Sequence, residues 1–157
     1  MGDRDSLAEF IYLDAGYSLE HPPGPGWLAK SLIGGDVLAY APADQVIVAR
    51  PVVVHGRFRI LVNRNATPEK MSIGIAREVA RWWLSHQQTE VAVGALEALA
   101  EALLIPAPAV RWARARSMAV EEIAQAFVCE QDIVQRRLDM VRQYRRSSGV
   151  FSLRDAG

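Results

Sequence analysis

The sequence has few of the residues that form disulfides or bind metals in small proteins. It has one cysteine, Cys129, and three histidines, so it cannot form an internal disulfide, and no two histidines have the spacing of metal ligands on a helix. A single cysteine suits a reducing compartment, which predicts a cytoplasmic protein. The chain does not open with a basic segment followed by an apolar one, and no apolar run is long enough to cross a bilayer. We therefore expect neither a secretion signal nor a membrane partner.

Net charge is absent as well, which excludes a globally basic protein. Lys and Arg together number 18 and Asp and Glu also number 18, so nothing global favours nucleic acid or an anionic membrane as a partner. What is present is a chain of 157 residues, of which 50% are hydrophobic, enough for one domain with its own core. We expect a single domain over residues 1–157, with an N-terminal helix in residues 1–19 and a tail at residues 147–157 lying at its periphery.

The order of hydrophobic patterns predicts an α+β protein, in which a small antiparallel sheet packs on a mainly helical domain. A proline-rich connection separates a short helix near the start from another at residues 27–32. β-branched residues then predict strands at Gln45–Ala49 and Phe58–Asn63, with a turn at Gly56. The period becomes helical after a cap at Thr67, and later helices are expected at residues 91–105, 109–116, 119–127 and 133–145.

The stretch IGIAREVARWWL, residues 73–84, has the spacing of a zinc-peptidase motif but not its ligands. In H-E-x-x-H the two histidines lie one turn apart on one helical face and bind one metal, while the glutamate takes a proton from the metal-bound water. Arg77 and Arg81 stand at the two ligand positions, and Glu78 stands at the position of the glutamate. A guanidinium has no lone pair for a metal. The plain alternative is a solvated helix with an ordinary Glu78–Arg81 ion pair.

A longer segment, HGRFRILVNRNATPEKMSIGIAREVARWWL, resembles the ImmA/IrrE family of zinc metallopeptidases. In that family a strand that ends in Asn is followed by a short turn and then by the helix that carries H-E-x-x-H. The upstream HPPGPGWLAKSL and the downstream ALAEALLIPAPAV and MAVEEIAQAFVCEQDIVQRRLDMV resemble further segments of the family in the same order. The likeness covers roughly residues 20–141. It implies a zincin-like fold with a helix-turn-helix-like C-terminal part.

The departures from the family concern its metal site. Both histidine ligands are replaced, by Arg77 and Arg81, and Glu78 remains as a vestigial catalytic candidate. Although the family implies zinc, its ligands are absent here, so we expect no cofactor and a protein that is not an enzyme. One hypothesis is that a guanidinium fills the former metal position and pairs with Glu78, Glu97 or Glu101.

The third ligand of the family is a glutamate on a later helix. Counting back from Pro106 places Val93 or Ala95 at that position, and neither can bind a metal. Glu90 and Glu97 are near this position but out of register with the family pattern. The resemblance therefore implies the loss of the third ligand as well.

These departures predict a non-catalytic, regulatory or protein-binding module, a pseudoenzyme. Family members cleave or engage repressors in phage, mobile-element and stress-response systems, so the resemblance implies a repressor or another transcriptional regulator as the partner. Trp82 and Trp83 could form a partner surface, although two adjacent tryptophans cannot face the same way, so one is expected in the core. The first alternative is a zinc-dependent endopeptidase with a relocated metal site that uses His86, Glu90 or Glu78.

The second alternative is a DNA-binding regulator. Residues 119–127, a break at residues 128–130, and residues 133–145 have the spacing of a helix-turn-helix. The arginines that could contact DNA are Arg136, Arg137, Arg142 and Arg145. The competing interpretation is a helical hairpin whose arginines form a solvated face balanced by nearby acidic residues.

Overall fold

The computed structural model describes residues 2–18, 24, 37–40, 48–86 and 93–151. Within these residues lie six helices and three strands, which confirm the predicted α+β class. In chain order the elements are α1 (Gly2–Asp14), β1 (Val37–Tyr40), β2 (Ala49–Val54), β3 (Arg57–Asn63), α2 (Pro68–His86), α3 (Val93–Leu104), α4 (Ala107–Ala115), α5 (Val120–Phe127) and α6 (Gln131–Phe151). The helix expected at residues 27–32 and the first residues of the strand expected from Gln45 lie outside the described residues.

The sheet is mixed, so the prediction of a purely antiparallel sheet is wrong. Its strand order is β1-β3-β2, with β2 antiparallel to β3 and β1 parallel to β3. The parallel strand is the four-residue segment VLAY, which is too short for an alternating pattern to be recognised. Its partner β3 follows only after the whole of β2, so no local signal specifies the pairing.

A tight hairpin joins β2 to β3. His55 and Gly56 form its two-residue turn with φ angles of 50° and 72°, the positive values that a type I′ turn requires. The predicted turn at Gly56 is therefore confirmed. Pro51 lies opposite Ile60 in this hairpin. Backbone N–H groups at such a non-hydrogen-bonded pair point away from the partner strand. The N–H that proline lacks would therefore have faced the outer edge of β2, so Pro51 removes no hydrogen bond between β2 and β3.

Helix α2 begins as its sequence predicts and packs one face on the sheet. The side-chain oxygen of Thr67 accepts a hydrogen bond from the Lys70 amide at 3.3 Å, which caps the helix. A Cβ atom at Gly74 would lie 3.0 Å from the Cβ of Ala49, so the glycine lets the helix approach β2 closely. The buried residues of α2 are Ile73, Gly74, Ala76, Glu78, Val79, Ala80 and Trp83.

Helix α1 belongs to the core, in contrast to the peripheral position that we expected for residues 1–19. Ala8, Ile11 and Tyr12 are completely buried, and α1 packs on α3. The Tyr12 hydroxyl donates a hydrogen bond to the Leu103 carbonyl. Charged residues are scattered among the apolar ones of α1, so its sequence shows no clear amphipathic pattern.

Helix α3 is the centre of the helical layer. It contacts α1, α2 and α6, and its last two turns are almost entirely buried, which explains why the segment is so rich in alanine and leucine. The part of the chain that the structure describes contains no helix long and apolar enough to cross a membrane. At the other end of the domain, residues 147–151 continue α6 and residues 152–157 lie outside the described residues.

Candidate functional site

The structure brings Arg77, Glu78 and Arg81 of α2 together with Glu97 of α3. The Arg77 Nε atom lies 2.5 Å from the Glu97 Oε1 atom, so an ion pair joins the two helices. Arg81 donates through Nη1 to the Oε1 atom of Glu78, three residues earlier on the same helix. Two guanidinium groups of α2 thus engage two carboxylates, one on α3 and one on α2 itself.

The two ion pairs differ in burial. The side chains of Arg77 and Glu97 are 39% and 42% exposed, so this pair lies at the surface. The Glu78 side chain is only 6% exposed, whereas that of Arg81 is 53% exposed, so Arg81 covers a nearly buried carboxylate. Arg77 and Glu97 therefore cross-link α2 to α3 at the surface, whereas the guanidinium hypothesis expects an internal pair, and Arg81 pairs within its own helix.

The other residues considered as metal ligands do not form a site in the described part of the chain. No group of three His, Cys, Asp or Glu side chains is placed there to hold a metal ion. His86 stacks on Trp82 with 4.2 Å between ring centroids, and its Nδ1 atom lies 2.9 Å from the Trp82 carbonyl oxygen. Glu90, which we considered as a ligand of a relocated metal site, lies outside the described residues. The side chain of Val93 is also outside the described part of the chain.

The two adjacent tryptophans point in different directions. Trp83 is 8% exposed and packs edge-on against Phe10 of α1, with 5.9 Å between ring centroids. Trp82 is half-buried and stacks on the exposed ring of His86. Trp83 is therefore a core residue, and the partner surface expected at this pair reduces to Trp82 and its neighbour His86.

Arg136 is held by acidic side chains at the start of α6. Its Nη2 atom lies 2.7 Å from Glu101 Oε1 on α3, and its Nη1 atom lies 3.0 Å from Asp132 Oδ2. The bond to Glu101 is the main cause that raises the pKa of Arg136, and the bond to Arg136 lowers the pKa of Asp132. Glu101 thus pairs with α6 rather than with the arginines of α2.

Arg137 points into the protein and not toward solvent. It is 1% exposed, and it donates from Nε to the Ile105 carbonyl at 2.9 Å and from Nη2 to Asp5 Oδ1 at 2.6 Å. This differs from the DNA-contacting role that we considered for it. The spacing of Val134, Arg137 and Val141 is i, i+3, i+7, so helical periodicity alone places Arg137 on the core face. The side chains of Arg142 and Arg145 lie outside the described residues.

The helix-turn-helix-like segment has acidic surroundings. α5 and α6 are separated by Val128, Cys129 and Glu130, and the exposed residues of α5 and of the first three turns of α6 include several carboxylates. They are Glu121, Glu122, Asp132 and Asp139. A face of this charge repels the phosphates of DNA.

A cavity of about 410 Å³ lies beside this segment, and sequence reasoning missed it. Its wall includes Glu69 from the first turn of α2, Glu121 from α5, and Cys129 and Glu130 from the α5–α6 turn. Burial, and then the charges of Asp132 and nearby glutamates, raise the pKa of the Cys129 thiol to about 12. The thiol is therefore protonated and unreactive at neutral pH. No local signal joins these residues, since Glu69 is far from the others in sequence.

Comparison with known proteins yields a likeness of fold only. No family model and no curated protein matches the sequence. The structure is similar to that of a Mycobacterium tuberculosis transcriptional regulator, with a TM-score of 0.65 and 16% sequence identity. The match covers 85% of this chain and 46% of that one, so this chain spans less than half of the regulator's length.

Proposed function

We propose that this protein is a zincin-like, non-catalytic module that regulates by binding a protein partner, and that it descends from a metallopeptidase whose zinc site was lost. The carrying observation is the pairing of Arg77 with Glu97 and of Arg81 with Glu78. Two permanently charged guanidinium groups stand one helical turn apart where the resemblance to the ImmA/IrrE family implies two neutral imidazoles.

The carboxylate chemistry supports this proposal. A zinc peptidase needs a carboxylate that is free to accept a proton from a metal-bound water. Glu78 has the right position on α2, but Arg81 occupies its Oε1 atom, and the positive charge of Arg77 and Arg81 repels a divalent cation. The alternative of a zinc endopeptidase with a relocated site has less support, because no three His, Cys, Asp or Glu side chains of the described residues are grouped to hold a metal, and His86 packs on Trp82.

The partner that we propose is a repressor or another transcriptional regulator, reached in the cytoplasm. The regulator whose fold this chain resembles is compatible with a regulatory role. For the binding surface we favour Trp82 with His86, because a half-buried aromatic side chain at the end of a helix can supply a large contact area. Addition of a partner strand along β2 is less favourable, since Pro51 removes an outward N–H from that edge.

A DNA-binding regulator remains the second candidate. The description of the similar structure as a transcriptional regulator and the helix–turn–helix order of α5 and α6 both favour it. The burial of Arg137 and the carboxylates around Arg136 disfavour the start of α6 as the contacting surface.

The test is binding of purified transcriptional regulators encoded beside this gene. We expect a regulator that binds wild-type protein, remains uncleaved, and binds equally well in the presence of EDTA. Trp82→Ala should weaken the complex by roughly tenfold or more. Trp112→Ala, at another half-buried tryptophan, is the matched control and should leave the affinity unchanged. Cleavage of the regulator that stops with EDTA would support the endopeptidase, and the absence of any binding would contradict the proposal.

A further inference from the structure

Charge is separated along this neutral chain, and α4 with its C-cap residue carries arginines but no acidic residue. Residues 107–119 contain Arg111, Arg114 and Arg116 and no acidic residue, and residues 140–151 contain three more arginines and no acidic residue. Among the described residues after residue 107, the carboxylates lie instead in α5, in the turn after it and in the first three turns of α6. We refer to Arg111, Arg114 and Arg116 as the α4 arginine surface.

The side chains of this surface are positioned in advance. The Arg116 guanidinium carbon lies 4.4 Å from the centre of the Trp112 ring, so a cation–π contact holds it over the indole. Arg114 donates through Nη2 to the Leu138 carbonyl of α6 and thereby fixes α4 against α6. Arg111 is exposed on the same helix, three residues before Arg114.

Two of the three guanidinium groups are available to an anion. Arg111 and Arg116 are both exposed, and neither forms an ion pair with a carboxylate within the described ranges. They differ in this respect from Arg77, Arg81 and Arg136, whose charges are compensated by adjacent carboxylates. Part of the basic character of α4 complements the negative end of its own helix dipole, but Arg111 lies a full turn before that end.

The backbone of α6 continues from its contact with α4 into a segment that is rich in arginine in the sequence. Leu138, which accepts the bond from Arg114, is followed one helical turn later by Arg142. The helix continues through Arg145 and Arg146. The backbone of α6 therefore leads from its contact with α4 into a segment without any acidic residue.

We propose that the α4 arginine surface binds the phosphate backbone of duplex DNA. Arginine presents a planar fork of donors that matches a phosphate, and all but two of the 18 basic residues of this chain are arginine. Trp112 would be the residue to stack on an unpaired base, but Arg116 already covers a face of its ring. The surface is therefore suited to backbone phosphates of a duplex and not to the bases of a single strand.

This contact differs from the recognition helix that the helix-turn-helix spacing suggests. The start of α6 carries carboxylates, with Arg136 tied to Glu101 and Asp132. Arg111 and Arg116, in contrast, form no ion pair with a carboxylate among the described residues. Phosphate contacts of this kind position a protein on DNA without reading its sequence. The inference does not rest on the proposed protein partner, and either can fail without the other.

The experiment is fluorescence anisotropy with a short random-sequence DNA duplex, over a series of KCl concentrations, with the full chain. The variant is Arg111→Ala/Arg116→Ala, and the matched control is Arg57→Ala/Arg64→Ala, which removes two exposed arginines from the β2–β3 hairpin and the turn after β3. We expect wild-type binding that weakens steeply with salt. The α4 variant should reduce the slope of log K against log salt by about two, one for each lost phosphate contact.

Several results would overturn the inference. One is the absence of duplex binding by the wild type at low salt, and another is an equal loss of affinity in the α4 variant and the hairpin control. Binding of polyglutamate as tight as binding of the duplex would show a surface for acidic proteins instead. Circular dichroism melting of each variant verifies that it is folded, and Arg111→Lys/Arg116→Lys, which keeps both charges, should retain most of the salt dependence.

Discussion

Arg77 of α2 and Glu97 of α3 form an ion pair across two helices, with 2.5 Å between Nε and Oε1. The side chain of residue 77 therefore lies within reach of a carboxylate on the neighbouring helix, and a charge pair connects α2 to α3. Because both side chains are more than one-third exposed, we expect the pair to contribute at most about 1 kcal/mol of stability.

Removing Arg81 should destabilise the protein by leaving the Glu78 carboxylate without its partner. Glu78 is 5% exposed, and an unsatisfied buried acceptor costs about 1–3 kcal/mol. Urea unfolding of Arg81→Ala should show this loss, and adding Glu78→Gln to that variant should restore part of it because the buried charge is gone. Equal stability of the wild type and Arg81→Ala would show that Arg81 does not compensate Glu78.

Arg137→Ala should be among the most destabilising single changes in the chain. It removes the partner of Asp5 and one donor to the Ile105 carbonyl at a fully buried position, and breaking such a pair costs about 3–5 kcal/mol. Asp5 lies on α1, so the same variant should increase amide exchange in that helix. Arg136→Ala, at a half-exposed arginine, should cost less. A small effect of Arg137→Ala on stability would contradict the proposed anchoring of α1.

Cys129 should make the folded protein less stable as the pH rises above 9. Burial raises the pKa of its thiol from 9.0 to about 12. Below pH 9 the thiol is therefore protonated in both the folded and the unfolded chain, and its full contribution to the free energy of unfolding is present. Between pH 9 and 12 the unfolded chain loses the proton first, and stability falls. Cys129→Ala should flatten the urea-unfolding profile in this window. Part of the loss of stability at high pH should remain in this variant, because burial also raises the pKa of the Tyr12 hydroxyl. An unchanged profile would contradict this account.

Val128→Gly should stabilise the protein. Val128 ends α5 with φ 50° and ψ 58°, a left-handed conformation that costs a β-branched residue roughly 1–2 kcal/mol and that glycine adopts freely. The side chain is 41% exposed, so little packing is lost. We expect a higher melting temperature by calorimetry, and a lower one would show that the valine side chain contributes more than its conformation costs.

The sequence was most informative where a signal is local. The cap at Thr67, the turn at Gly56 and the helices around residues 93–127 follow from capping, turn chemistry and helical period. The parallel strand β1 and the burial of α1 could not be predicted in this way. Both depend on contacts with segments far along the chain, β3 and α3 respectively, that no local pattern encodes.

The candidate site shows the same division. The spacing of Arg77, Glu78 and Arg81 was visible in the sequence, but Glu97 was only one of three glutamates considered as partners of a guanidinium, and the sequence did not select it. Charge counting also could not distinguish the buried Arg137 from the exposed Arg111, although the helical period of α6 does place Arg137 on the core face. The partners that compensate its charge, Asp5 and the Ile105 carbonyl, follow only from packing.

The most direct test of the proposed loss of a zinc site is to introduce the ligands that such a site needs. Arg77→His/Arg81→His creates H-E-x-x-H on α2, with Glu97 close to residue 77 as a candidate third ligand. Isothermal titration with zinc should give about one site per chain for this variant, weakened by a further Glu97→Ala, and no tight site for the wild type. A wild-type protein that already holds about one zinc per chain, or a restored variant that binds none, would contradict the account.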